Sequence, residues 1–140
     1  MSQILIVGVD GSETALKAAR TAAALAAAVG AVLNVVTAYA SDRTDVVEIA
    51  GEQWIVSDAA EAKRVAQRTA AILGSNGIQT SYTAVQGKPH EVLVSEAERL
   101  GASMIVVGNR RMKGLGRVLG SVANSVAHNS PCDVHIVKTN

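Results

Sequence analysis

The residues with the clearest chemical potential lie in one stretch, Gly108-Asn-Arg-Arg-Met-Lys-Gly-Leu-Gly-Arg-Val-Leu-Gly-Ser121. It carries four glycines and four cations, Arg110, Arg111, Lys113 and Arg117, and no acidic residue occurs between Glu98 and Asp133. Glycines let backbone amides approach an anion closely, and a helix beginning near Ser121 would add its dipole and unpaired N–H groups. Arginine forks can grip phosphate oxygens in pairs. A phosphate site is the chemistry this composition suits. The same stretch also fits a solvated basic loop in which Ser121 only caps a helix. Known phosphate loops do not match: Gly120-Ser121 lacks the lysine of a Walker A motif, and Gly114, Gly116 and Gly120 miss the dinucleotide spacing.

A second candidate is Asp10, in Val9-Asp10-Gly11-Ser12 at the end of the first apolar run. It fits a ligand role and also, with Glu13, a loose capping box. The remaining reactive side chains are less promising. His90, His128 and His135 form no ligand set, so no structural metal is expected. Cys132, the one cysteine, lies between Pro131 and Asp133 and reads as a small packed thiol. It excludes an intramolecular disulfide and a multi-cysteine zinc site.

The elements that must position these residues alternate along the chain. Ile4 to Val9 is continuously apolar, as suits a parallel strand covered on both faces. Glu13 to Val29 reads as an alanine-rich helix stopped by Gly30, and Ala31 to Ala38 as a second strand. Ser41 to Glu52 is polar and is expected to be a loop. A helix is expected from Trp54 to Leu73, because Ile55, Ala59, Ala62, Ala66, Thr69 and Leu73 share one helical face. Ile78 to Val85 alternates with polar residues and is placed towards the sheet edge. Pro89 opens a third helix and Gly101 closes it. Met104 to Val107 is a short strand, Ser121 to Asn129 a short helix, and Asp133 to Lys138 the last strand.

Five strands and four helices in strict alternation predict an α/β fold, a doubly wound three-layer sandwich around a five-stranded parallel sheet. Ligands of such sheets bind beyond the carboxyl ends of the strands, near the switch in strand order. At 140 residues a single domain spanning 1–140 is expected. Thirteen Lys+Arg against twelve Asp+Glu leave a net charge of +1, which argues against a basic nucleic-acid coat. Three aromatics, Tyr39, Trp54 and Tyr82, cannot supply a row of stacking platforms for single strands. Neither nucleic acid nor membrane is therefore an expected partner. No signal-like start and no apolar stretch of about 20 residues is found, and a cytoplasmic location is expected.

Several pieces in order now resemble the universal stress protein family. They are Val9-Asp10-Gly11-Ser12, Gly87-Lys88-Pro89, Ile105-Val106-Val107-Gly108, Gly120-Ser121 and Ser130-Pro131-Cys132. The resemblance runs from Ile4 to Lys138. It implies the five-stranded sheet of the adenine-nucleotide α-hydrolase-like type, a role in stress response, and commonly a homodimer formed through the last strand, here Asp133 to Lys138. Many members bind ATP. The resemblance then implies that Asp10 contacts the adenosine end and Val35 lines the adenine pocket. Gly108, Asn109, Gly120, Ser121 and Val122 would cradle ribose and phosphates, with Mg²⁺ where the ligand is ATP.

One departure stands out. ATP-binding members have Gly-x-x-Gly, nine residues, then Gly-Ser/Thr. Here Arg111 takes the second glycine's place, and eight residues separate it from Gly120. Arg111 either grips phosphate or fills the pocket. The alternative function is a member without ATP, acting as a dimeric interaction module or holding another phosphorylated ligand such as cyclic AMP. The basic stretch has no carboxylate to serve as general base, so hydrolysis of ATP is expected to be slow at most. An adenylate-forming enzyme would need a further domain. A phosphorelay receiver would need an aspartate after the third strand, where Gln86-Gly87-Lys88-Pro89 stands.

Overall fold

The computed structural model describes residues 3–41, 44–49, 52–75, 77–109 and 121–139. Its order is β1 (Ile4–Gly8), α1 (Glu13–Val29), β2 (Val32–Tyr39), β3 (Thr44–Ile49), β4 (Glu52–Ser57), α2 (Asp58–Gly74), β5 (Thr80–Gln86), α3 (Pro89–Leu100), β6 (Met104–Asn109), α4 (Ser121–Asn129) and β7 (Asp133–Lys138). Five strands form one parallel sheet in the order β5-β2-β1-β6-β7. From β1 the chain winds outward through β2 to β5, then returns to β6 and winds the other way to β7. The order therefore reverses between β1 and β6.

Strand alternation divides the core between the two faces. Leu5, Val7, Leu33, Val35, Val106 and Val137 pack with residues of α1 and α2. Ile6, Val36, Ile105 and Val107 pack on the other face, with Val92 and Leu93 of α3 and Ala123 and Val126 of α4. The buried residues of α1 are all alanine, Ala18, Ala19, Ala22, Ala23 and Ala26, with Leu25 packing against the same core from a partly buried position. With methyl groups as its buried side chains, this helix can lie close to the sheet. Gly30 and Gly101 end α1 and α3 in left-handed conformations, with φ of 69° and 63°. A β-carbon is disfavoured there.

The expected parallel sheet, its edge strands Thr80–Gln86 and Asp133–Lys138, and the opening of α3 at Pro89 are all present. The segment after β2 differs. Where a loop over Ser41–Glu52 and a helix from Trp54 were expected, β3 and β4 form an antiparallel hairpin that pairs Val46 with Ile55 and Val47 with Trp54. The helix begins only at Asp58, with Asp58 and Glu61 in its first turn, where acidic residues oppose the helix dipole favourably. Val46, Val47, Ile49, Trp54, Ile55 and Val56 are β-formers by residue type. The spacing from Ile55 to Ala59 matched a helical period by coincidence.

Candidate functional site

The strand reversal between β1 and β6 opens a cavity of about 430 Å³ at the carboxyl end of the sheet. This is where doubly wound sheets hold their ligands, and the volume lies in the usual range of about 300–1,000 Å³ for small-molecule sites. One side is apolar, built by Val36 and Ala38 of β2 with Val92 and Leu93 of α3. Gly8 forms part of the floor. It stands opposite Val36 in the register, and a β-carbon there would come within 3.0 Å of Leu93 Cδ1. The absence of that side chain keeps Leu93 from being pushed aside.

The other side is polar. Asp10 follows β1, Asn109 ends β6, and Thr14 and Thr139 line the cavity from α1 and from the residue after β7. Asp10 Oδ1 accepts from the backbone N–H of Ser12 at 3.0 Å and from Ser12 Oγ at 2.6 Å. Ser12 in turn is the helix cap, its Oγ accepting from the N–H of Ala15 at 3.2 Å. The capping role thus belongs to Ser12, while Asp10 fixes the cap and borders the cavity. Asp10 is also the one charged side chain lining the cavity among the described residues.

The structure brings Asp10, Gly108, Asn109 and Val122 together on this cavity. Val35 is not among its lining. It is fully buried with the α1 and α2 core, and Val36, one residue on, faces the cavity because successive strand residues point to opposite faces. Ser121 is the first residue of α4. Arg111 and Gly120 lie outside the described residues. Sequence reasoning missed Gly8, Val36, Leu93 and Thr139. A glycine closing the run Ile-Leu-Ile-Val-Gly was a usable signal for the first. Nothing marked the others within uniformly apolar runs or at the chain's end.

Cys132 is only partly buried, and the Ser130 hydroxyl accepts from its N–H at 3.1 Å and donates to its carbonyl at 2.7 Å. That arrangement orders the turn before β7. Among the described residues, no group of three His, Cys, Asp or Glu side chains is placed to hold a metal ion. No helix of the described residues is long and apolar enough to cross a membrane.

A parallel sheet in this order, with a half-apolar cavity at its switch point, defines a nucleotide-binding type of α/β fold. The universal stress protein family model matches residues 1–138. A universal stress protein from Thermus aquaticus, from the QAH/OAS sulfhydrylase 3′ region, is 31% identical over 139 residues, covering 99% of this chain and all of the relative. The chain belongs to the universal stress protein family. A universal stress protein solved in complex with cAMP is 31% identical, with a TM-score of 0.77 over 99% of this chain and 98% of that one. The universal stress protein of Archaeoglobus fulgidus in complex with dAMP is 25% identical, with a TM-score of 0.74 over 99% and 98%.

Proposed function

We propose that this chain is an adenine-nucleotide-binding regulatory protein of stress response, with ATP as its ligand. The observation that carries this reading is the cavity itself. Its apolar wall of Val36, Ala38, Val92 and Leu93 suits one face of a purine, and Asp10 on the opposite side suits ribose hydroxyls as a hydrogen-bond acceptor. The cavity ends at Gly108 and Asn109, from which the chain runs directly into Arg110, Arg111, Lys113 and Arg117. Those cations would meet the phosphates, and Mg²⁺ would share the charge of a triphosphate. Relatives solved with cAMP and dAMP support an adenine nucleotide as the ligand class.

The protein is further proposed to act as a cytoplasmic homodimer in which nucleotide occupancy changes partner choice. It is read as a binding protein, because Asp10 is the only carboxylate on the cavity wall among the described residues and its Oδ1 already serves Ser12. Titration of nucleotide-stripped protein with Mg-ATP, AMP and cyclic AMP tests the ligand. Saturable binding of Mg-ATP is expected, and silence with all three, in calorimetry and in an assay independent of heat, would refute the nucleotide reading.

A second reading is favoured by Arg111 and by the eight residues between it and Gly120: a nucleotide with a single phosphate, such as cyclic AMP. Replacing Arg111 decides between its two roles. If Arg111→Gly weakens nucleotide binding about tenfold, the arginine is a phosphate ligand, as a charge-assisted contact predicts. If the variant gains affinity for ATP, the native side chain occupies the triphosphate's path.

A further inference from the structure

Strand β5 lies at one end of the sheet and pairs with β2 alone. The Gly87 N–H donates to the Tyr39 carbonyl of β2 and the Gln79 carbonyl accepts from the Leu33 N–H, so odd-numbered residues of this segment bond inward. Backbone direction alternates along a strand, and the register against β2 is unbroken over Thr80–Gln86. Thr80, Tyr82, Ala84 and Gln86 therefore turn their N–H and C=O groups outward, where they meet no other strand among the described residues. Edges of this kind are usually guarded by a charged side chain, a proline or a bulge. Thr80–Gln86 has none of the three.

Beside this edge, Tyr39, Ala59, Lys63, Tyr82, Thr83 and Ala84 line a groove of about 280 Å³. Tyr82 and Ala84 lie on the α2 side of the sheet with Thr80, whose hydroxyl donates to the Ala70 carbonyl at 3.2 Å. A strand added to β5 would set alternate side chains against this groove, next to the exposed ring of Tyr82. Charge indicates what that strand carries. From residue 62 to residue 90 there is no Asp or Glu, while Lys63, Arg64, Arg68 and Lys88 are cations. Arg64 is held by Glu61, whereas Lys63 is exposed and has no carboxylate partner among the described residues. Lys88 is exposed just past the end of β5. A second copy of this chain fits poorly, because a two-fold axis through the middle of two β5 strands would bring both Lys63 ammonium groups together. An acidic segment has the complementary charge.

We propose that the β5 edge docks an extended, acidic segment of another protein, which adds to the sheet as an outer strand and places a carboxylate at Lys63. The outward backbone groups of β5 supply the ladder, and Lys63 selects the sign of the partner's charge. No residue of the groove lines the cavity at the strand reversal, so this site stands apart from nucleotide binding. The probe is a blocked peptide in which Glu alternates with Val, titrated into the full chain by fluorescence anisotropy, with backbone amide exchange followed by NMR. Saturable binding is expected, with slowed exchange at the N–H groups of Tyr82, Ala84 and Gln86. The same peptide with Lys in place of Glu should bind at least about tenfold more weakly, and the fully N-methylated Glu peptide should not bind. Lys63→Glu should weaken the Glu peptide about three- to tenfold, the effect of an exposed ion pair turned to repulsion. Ala84→Pro should remove binding, and the altered peptides test the same ladder on the wild type should that variant fail to fold. Absence of binding by the Glu peptide, equal affinity for the Lys peptide, or slowed exchange on β7 in place of β5 overturns the proposal.

Discussion

Gly8 shows how a missing side chain can define a site. It ends β1 beside the strand reversal, and its α-hydrogen faces Leu93, whose methyls lie 3.0 and 3.1 Å from a would-be β-carbon. Leu93 is 4% exposed and packs with Val92 and Val107, so it cannot retreat without disturbing the α3 contact. Its easiest displacement is into the cavity. Gly8→Ala is therefore expected to lower adenine-nucleotide affinity at least tenfold, while overpacking by one methyl costs about 1 kcal/mol of stability. Titration beside thermal unfolding checks both. Unchanged affinity would show that the ligand does not pass over β1.

At the scale of elements, the hairpin of β3 and β4 stands apart from the five-stranded sheet. Its ladder is internal, and neither strand pairs with the five-stranded sheet. The Ser41 hydroxyl donates to Asp58 Oδ2 at 3.3 Å, so the chain leaves and re-enters the core at nearly one point. Replacing residues 42–57 by Gly-Gly should consequently preserve the far-ultraviolet circular dichroism of the sheet and helices and a single cooperative unfolding transition. Loss of that transition would mean that the hairpin supports α2. The same independence explains why it was hidden in the sequence. The buried strands β1 and β6 declared themselves as apolar runs, and Gly30 and Gly101 marked helix ends, because those signals report local burial and backbone geometry. The hairpin mixes Val46, Val47 and Trp54 with Glu48, Glu52 and Gln53, and its second strand runs straight into the period of α2. In the site, Asp10, Gly108 and Asn109 were legible because strand ends hold ligands in this fold class. The choice of Val36 over Val35 was not, since both are buried and only the register against Gly8 separates their faces.

For the whole molecule, the two sheet edges differ in what they offer a second copy. At β5, Ser81 and Gln86 are exposed and Tyr82 is 39% exposed, so that edge is largely polar. At β7, Val134 and Ile136 are only partly covered by the core beneath α4, and β7 pairs with β6 alone. Unpaired backbone groups beside half-covered apolar side chains favour strand addition. Two copies related by a two-fold axis would join their β7 strands antiparallel, each contributing the same surface. The proposed dimer should then register as twice the chain mass in light scattering at micromolar concentration. Ile136→Glu would set a carboxylate from each copy near the axis, where like charges repel, and should give a folded monomer with the wild-type circular dichroism. Since Ile136 also packs on its own core, Ala84→Pro at the opposite edge serves as the comparison: Gly87 donates to Tyr39 on β2 and Gln79 accepts from Leu33, so the odd-numbered residues of this segment face β2 and proline at Ala84 removes an outward-facing donor. Dissociation by Ile136→Glu alone assigns the interface to β7, whereas dissociation by Ala84→Pro alone would move it to β5, and a monomeric wild type would remove it altogether.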